Sequence, residues 1–315
     1  MKLYRLKFSP LGPLTKVPDS LAFFGALIHH LKTILGRDQI ELLLQQTHEK
    51  NPAFVVSSFF PGGLLPIPLD ITPELKSLQK ADIQTISLLK SLKKVKWITL
   101  GMFKEYRNLS NFNEMLITKL VDGNYVLINQ QSTIALKSEV DQATSDPQQV
   151  TVLKTRNKVN IGDDTSLYYN KVSYYKENSM FDVYLQVRNE ELINQIKLVF
   201  DKFQHISVGG KKSVGSNLFL YIGIEQVDFS NQKENKLLLS KAIISSDIIN
   251  IDQSFYKLQV LDNKFATQEE RIYKKELLVM LEGSIVHTTQ PFIGNLVLED
   301  STQGSIYTNA IGLLI

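Results

Sequence analysis

Residues 3–35 restrict the fold more than any other stretch. Leu3, Leu6 and Phe8 sit in a near-alternating run that reads as a strand. Pro10, Gly12 and Pro13 end it. Asp19-Ser20 after Pro18 is a helix start, and the spacing predicts a helix over 21–35. Leu21, Phe24, Ile28, Leu31 and Leu35 form one apolar stripe; Phe23, Leu27, His30 and Ile34 form a neighbouring one. Ala22, Ala26, His29 and Thr33 make a third face, small and polar, and Gly36 stops the helix. A strand, a loop and a helix with two apolar stripes open an α+β sandwich.

The remainder supports that class. A chain of 315 residues is long enough for two domains and needs no covalent staple. It has no cysteine, which excludes disulfides, thiolate metal sites and a cysteine nucleophile. No apolar run reaches the ~18 residues of a membrane span, and the opening residues alternate charged and apolar side chains rather than forming a leader. These features point to a cytoplasmic chain with no membrane partner. Residues 57–70, rich in proline and glycine, are kept off a central strand by Pro66 and Pro68. A helix is expected over 74–92, a short strand over 95–99 and a polar junction over 137–150. A hairpin then turns at Gly162-Asp163-Asp164, with strands at 181–187 and 219–224 around a helix at 191–203. The β–β–α–β order after residue 150 suggests a second unit, with a division into 1–150 and 151–315.

The net charge of +3 is small, yet it is unevenly placed. Segments 1–40, 76–107 and 151–220 carry +4, +6 and +3, while 221–315 carries −4. Such blocks suit either a solvated surface or a few segments facing a polyanion. The segment with most chemical content is Val208-Gly209-Gly210-Lys211-Lys212-Ser213-Val214-Gly215-Ser216-Asn217. Glycines let backbone N–H groups approach a phosphate, the lysines add charge and Ser213 a hydroxyl. The G-x-x-x-x-G-K-[ST] spacing of a P-loop is absent. An ordinary tight connection with exposed lysines fits the same string.

The string Gly209–Gly215 resembles the glycine-rich loop of the RAMP proteins of CRISPR systems. Phe8–Leu11 followed by Pro18–Leu27 resembles one branch, the 5′-handle-binding (Cas5-group) subunits of the type III-A, or Csm, effector. Phe60–Leu69, Lys93–Tyr106, Arg156–Tyr175 and Asn309–Ile315 agree, in the right order. This chain departs from the family at Gly215-Ser216-Asn217, where G-x-G is usual, and at Asp163-Asp164, where Asp-Arg is common. Asn tolerates the left-handed conformation that the loop requires.

The resemblance implies two ferredoxin-like (RRM-like) domains, a projecting β-hairpin over 156–175 and a glycine-rich loop. It implies a non-catalytic subunit that binds the 5′ handle of the crRNA. The implied partners are the large polymerase-like subunit (Cas10- or Csm1-like) and the backbone RAMP subunit (Csm3-like). No cofactor and no metal are implied. The residues expected to meet RNA are Gly209, Gly210, Lys211, Lys212, Ser213, Gly215 and Asn217 in the loop. Ser9, Lys16 and Ser20 are expected near the first helix, with Asp19 as its N-cap. Lys154, Arg156, Lys158, Tyr168 and Tyr169 are expected on the hairpin, where cations and aromatic faces serve a single strand. Tyr174 and Tyr175 are expected to pack on the core.

Two other readings stand beside this one. A metal-independent nuclease would need a general acid/base. His29 is the candidate, since His30 lies on an apolar stripe ~100° away. A protein-binding scaffold without RNA would use the acidic 221–315 segment as its docking face. Lys90, Lys93, Lys94 and Lys96 could steer RNA or meet an acidic partner, and a plain solvated face fits them equally well.

Overall fold

The computed structural model describes residues 1–71, 83–140, 149–158, 166–210, 215–229, 233–244, 247–261, 264–266, 271–273, 276–301 and 304–315. The expected first strand is Lys2–Pro10, and it lies inside the largest sheet. Across that sheet the order is His205–Ser207, Leu218–Val227, Lys2–Pro10, Phe181–Val187, Phe54–Val56, every pairing antiparallel. Alternation turns Tyr4, Leu6 and Phe8 to one face, together with Val183, Leu185 and Phe219, and all are buried. The helices Ser20–Leu35 and Glu190–Lys202 supply Phe23 and Phe200 against Phe8, at ring-centroid distances of 5.9 and 5.6 Å.

Local signals set these helices. Asp19 caps the first one by accepting the N–H of Ala22 at 3.1 Å, and Gly36 ends it with φ 82°. Asn189 caps Glu190–Lys202 through the N–H of Leu192 at 2.9 Å. A helix at Arg37–His48, which the sequence reading left unassigned, begins directly after Gly36.

Between Val56 and Phe181 the chain builds a second sheet, ordered Leu64–Pro66, Trp97–Thr99, Thr133–Leu136, Tyr125–Ile128. Pro66 is on an edge strand, as a residue without an N–H requires. Helices Ile83–Leu92, Leu100–Asn108 and Phe112–Val121 accompany it. Residues 74–82 of the expected 74–92 helix lie outside the described residues. A two-stranded hairpin follows, Gln149–Lys158 with Ser166–Tyr175, paired over ten positions. The strands after 234 form short antiparallel ladders, the longest joining Phe292–Ser301 to Gly304–Leu313. Gly294 is required there: its φ is 80°, and a Cβ would stand 2.1 Å from the Ala310 carbonyl.

The α+β class holds, but the expected division at residue 150 does not follow the sheet. Lys2–Pro10 is hydrogen-bonded on one side to Phe181–Val187 and on the other to Leu218–Val227. The β–β–α–β order read after residue 150 is longer in the structure, β–β–β–α–β–β. The two hairpin strands form their own ladder, while Phe181–Val187 and Leu218–Val227 flank the first strand. Separating 1–150 from 151–315 would part Lys2–Pro10 from both strands that flank it.

Candidate nucleic-acid interface

Segment 11–17 connects the first strand to the first helix, and it holds two other segments together. On one side Leu14 and Ser173 exchange backbone hydrogen bonds of 2.9 and 2.8 Å, which fixes the foot of the hairpin. Val172 is buried there, and Tyr175 packs edge-on against Phe181 at 5.2 Å. On the other side Asn217 N–H donates to the Pro13 carbonyl at 3.0 Å. The glycine-rich loop and the hairpin, both expected to meet RNA, are therefore rooted on the same few residues.

Asn217 closes the neck of the loop. It adopts φ 57°, the left-handed conformation that its amide side chain tolerates. Its Oδ1 accepts the Thr15 N–H at 2.8 Å, and its Nδ2 donates to Thr15 Oγ1 at 3.0 Å and to the Gly210 carbonyl at 3.1 Å. At 3% exposure, with both ends of its amide occupied, Asn217 shapes the loop rather than meeting solvent. Gly209 and Gly215 carry φ of 90° and 69°. A Cβ on Gly12 would come 2.8 Å from the Gly215 carbonyl, so the two segments are in close contact. Lys211, Lys212 and Ser213 lie outside the described residues.

The first-helix residues divide. Ser20 is fully buried; its N–H donates to Ser58 Oγ at 2.9 Å, and its hydroxyl accepts the Lys241 N–H at 3.2 Å. The expectation that Ser20 meets RNA is therefore corrected: the chain turns it inward to join the C-terminal part. Asp19 is the N-cap, and its Oδ2 is held by Lys241 at 2.9 Å and Lys16 at 3.1 Å. Lys16 is exposed and Ser9 half-buried, so both stay beside the loop root.

Burial alone would raise the Asp19 carboxyl, but Lys241 and Lys16 outweigh it and hold the group below its ordinary value. A depressed folded value stabilises the protein above the ordinary carboxylate range near pH ~4, and the gain is lost as pH falls through the folded value. We expect Asp19→Ala to cost about 2 kcal/mol at pH 7, from the lost cap and an unpaired, buried Lys241. Urea titrations should show the deficit shrinking below pH ~4. A deficit constant down to pH 3 would remove the ion pair from the account.

On the hairpin, Lys154 lies 5.0 Å above the Tyr174 ring, and Tyr174 is exposed rather than packed on the core. Of the two tyrosines expected to pack, Tyr175 does. Tyr169 lies on the opposite face with Leu153 and Leu167, and these are 70%, 67% and 65% exposed. Arg156 pairs in register with Tyr168, and Lys158 with Ser166; their side chains lie outside the described residues.

The basic block 1–40 is mostly neutralised within the fold. Lys2 pairs with Glu190, Arg5 with Asp182 and Glu225, Lys7 with Glu225, Lys16 with Asp19 and Arg37 with Glu41. Sequence counting could not show this, because three of the carboxylates, Asp182, Glu190 and Glu225, come from the far half of the chain.

No protein-family model matches this sequence, and no curated protein matches it. Solved structures do. A chain in the crystal structure of the Csm3–Csm4 subcomplex of the type III-A CRISPR-Cas interference complex is 20% identical. It superposes with a TM-score of 0.62, over 100% of this chain and 98% of that one. This chain has that fold. Chains from two crystal structures of the Csm1–Csm4 cassette agree. The one with cA4 is 18% identical at a TM-score of 0.56; the one with pppApA is 17% identical at 0.53. Both match over 100% of this chain and 97% of theirs. Csm4 is the component these structures have in common.

His29 is exposed on the first helix, and the His30 ring packs 4.8 Å from Phe203. His48 bonds the Leu296 carbonyl at 2.9 Å and His287 bonds Asn235 at 2.8 Å, each in a separate region. Among the described residues no three His, Asp or Glu side chains gather as a metal would need.

Proposed function

We propose that this chain is a non-catalytic subunit of a type III-A CRISPR ribonucleoprotein. It holds the 5′ handle of a crRNA and joins the large polymerase-like subunit to the backbone RAMP subunit. The observation that carries this reading is the full-length likeness to chains of both Csm3–Csm4 and Csm1–Csm4 structures. A chain whose fold recurs in pairs with two different partners is suited to be the joint between them. The main sheet supports it further. Lys2–Pro10, Ser20–Leu35, Phe54–Val56, Phe181–Val187, Glu190–Lys202 and Leu218–Val227 run β–α–β–β–α–β, with the fourth and first strands adjacent and the third beside the second. That order supports reading the main sheet as a ferredoxin-like unit interrupted by 57–180. The shared root of loop and hairpin supports an RNA track along 11–17, with the loop lysines on phosphates and the hairpin on bases.

The experiment is reconstitution with the cognate large and backbone subunits and a guide RNA. One assembly containing RNA should form, and leaving out this chain should separate the large subunit from the backbone. Partners that stay joined without it would overturn the bridging role. In the full assembly, Lys211→Ala with Lys212→Ala should weaken RNA binding and lower the slope of log K against log salt by about 1.4. An unchanged slope would remove the loop from the RNA track. His29→Ala should leave guide-RNA processing intact; loss of cleavage would instead favour the nuclease reading.

A further inference from the structure

The basic block 76–107 is the one that the proposed RNA track does not use, and its four lysines at 90–96 have no carboxylate partner among the described residues. Lys90, Lys93, Lys94 and Lys96 sit at the end of helix Ile83–Leu92 and on the turn into strand Trp97–Thr99. All four are exposed. Among the described residues none has a carboxylate within ion-pair distance, in contrast to the paired cations of residues 1–40. Four cations within seven residues repel one another, and solvation alone gives no reason to place them on a tight turn.

A second feature adjoins them. Asn129, Gln130 and Gln131 adopt φ of 53°, 56° and 69° in succession. The left-handed conformation crowds the Cβ against the following carbonyl, and a run of three non-glycine residues in it is rare. Such strain persists where the surroundings hold it, and it gathers at ligand sites. Here the surroundings include the lysine turn itself. The N–H groups of Lys96 and Trp97 both donate to the Ser132 carbonyl, at 2.8 and 3.1 Å, and the Ser132 N–H returns to the Asn129 carbonyl at 3.1 Å. Gln130 and Gln131 are exposed. The fold thus sets exposed amides beside exposed ammonium groups on two adjoining turns at one end of the second sheet.

We propose that the turns 93–96 and 129–132 form a second RNA-binding surface, separate from the loop and hairpin. The four lysines neutralise the phosphates of a single strand. Gln130 and Gln131 offer donors and acceptors to its riboses and base edges. An amide contributes little to a diffuse ion atmosphere but much to hydrogen bonding, which favours a strand held in contact over an acidic protein surface.

The probe is a fluorescein-labelled oligouridine without a handle sequence, titrated by anisotropy against the full chain at several salt concentrations. Replacing Lys90, Lys93, Lys94 and Lys96 together by Ala should weaken binding at least about tenfold and lower the salt slope by about 3. Gln130→Gly with Gln131→Gly suits the positive φ, so the fold is kept; affinity should fall about threefold with the slope unchanged. Combining the lysine variant with Lys211→Ala and Lys212→Ala should add the two losses on a logarithmic scale, as separate surfaces do. Ultraviolet crosslinks should fall on peptides spanning 90–97 and 129–132. Unchanged affinity and slope in the lysine variant would overturn the proposal while leaving the loop assignment intact. Unchanged RNA binding with loss of a co-assembling protein would overturn it in favour of an acidic partner. Loss of binding in the loop variant alone would confine RNA to the first site.

Discussion

Phe8→Ala should be the most damaging single side-chain truncation in the sheet, costing about 3–5 kcal/mol. Phe8 is fully buried, and its ring meets Phe59 at 5.3 Å, Phe200 at 5.6 Å, Tyr221 at 5.8 Å and Phe23 at 5.9 Å. These neighbours come from both helices, the 57–60 segment and the adjoining strand. None can collapse into the vacated space without dragging its own element. The site also lies where the pairing of Lys2–Pro10 with Leu218–Val227 shifts register, between Lys7 and Phe8. The ring packs over a backbone irregularity that a smaller residue would leave open. Phe8→Leu keeps most of the volume and should cost far less, about 1 kcal/mol. Tyr169→Ala, on the exposed hairpin face, should change stability by less than about 0.5 kcal/mol. Urea midpoints at constant slope test the ranking. A Phe8→Ala loss below about 1 kcal/mol would mean that this aromatic cluster does not close the core.

The same residue shows which features of the fold are legible in the sequence. Its strand, the turn after it, the Asp19 cap and the Gly36 stop are local signals, and each was readable from a few neighbouring positions. The strands that flank it begin about 170 and 210 residues away along the chain, and nothing local names them. Any strand with an apolar face could have been chosen, so a division at a polar stretch looked reasonable at 137–150. The helix Arg37–His48 was missed for a related reason: Gly36 ends one helix and begins the next, and its glycine signal was spent on the first. Ser20 was misassigned because a serine after an N-cap can turn to solvent or inward. Its partners, Ser58 and Lys241, are too remote to decide this from sequence. The charge blocks could not show which cations are free: those of residues 1–40 are mostly paired and those at 90–96 are not, and only the fold shows which already have a carboxylate.

Asn217→Ala should cost about 2–4 kcal/mol of local stability and most of the RNA affinity of the loop. Three effects add. The substitution places a Cβ residue without a compensating amide at φ 57°, which costs about 1 kcal/mol. It deletes the bonds to Thr15 and to the Gly210 carbonyl. It also leaves the half-buried Thr15 N–H without the Oδ1 that it donates to at 2.8 Å, a loss toward the lower end of the ~1–3 kcal/mol for an unmet donor. Asn217→Gly separates these contributions, because glycine accepts the backbone angle while losing the same bonds; it should be milder than Ala by about 1 kcal/mol. The neck can open without the core, so the direct readout is hydrogen exchange at Thr15 and Val208, whose N–H groups depend on Asn217. Both amides should exchange at least tenfold faster in the Ala variant. RNA affinity should fall with a smaller change in salt slope than removal of Lys211 and Lys212 produces, because the cations remain and only their placement is lost. Faster exchange with full RNA affinity would detach the loop from the RNA track. Unchanged exchange would show that Pro13 and the strand pairing hold the neck without the amide. The departure from the usual second glycine is thus the reason the loop is anchored: a glycine at 217 would fit the backbone angle, but it could not reach Thr15.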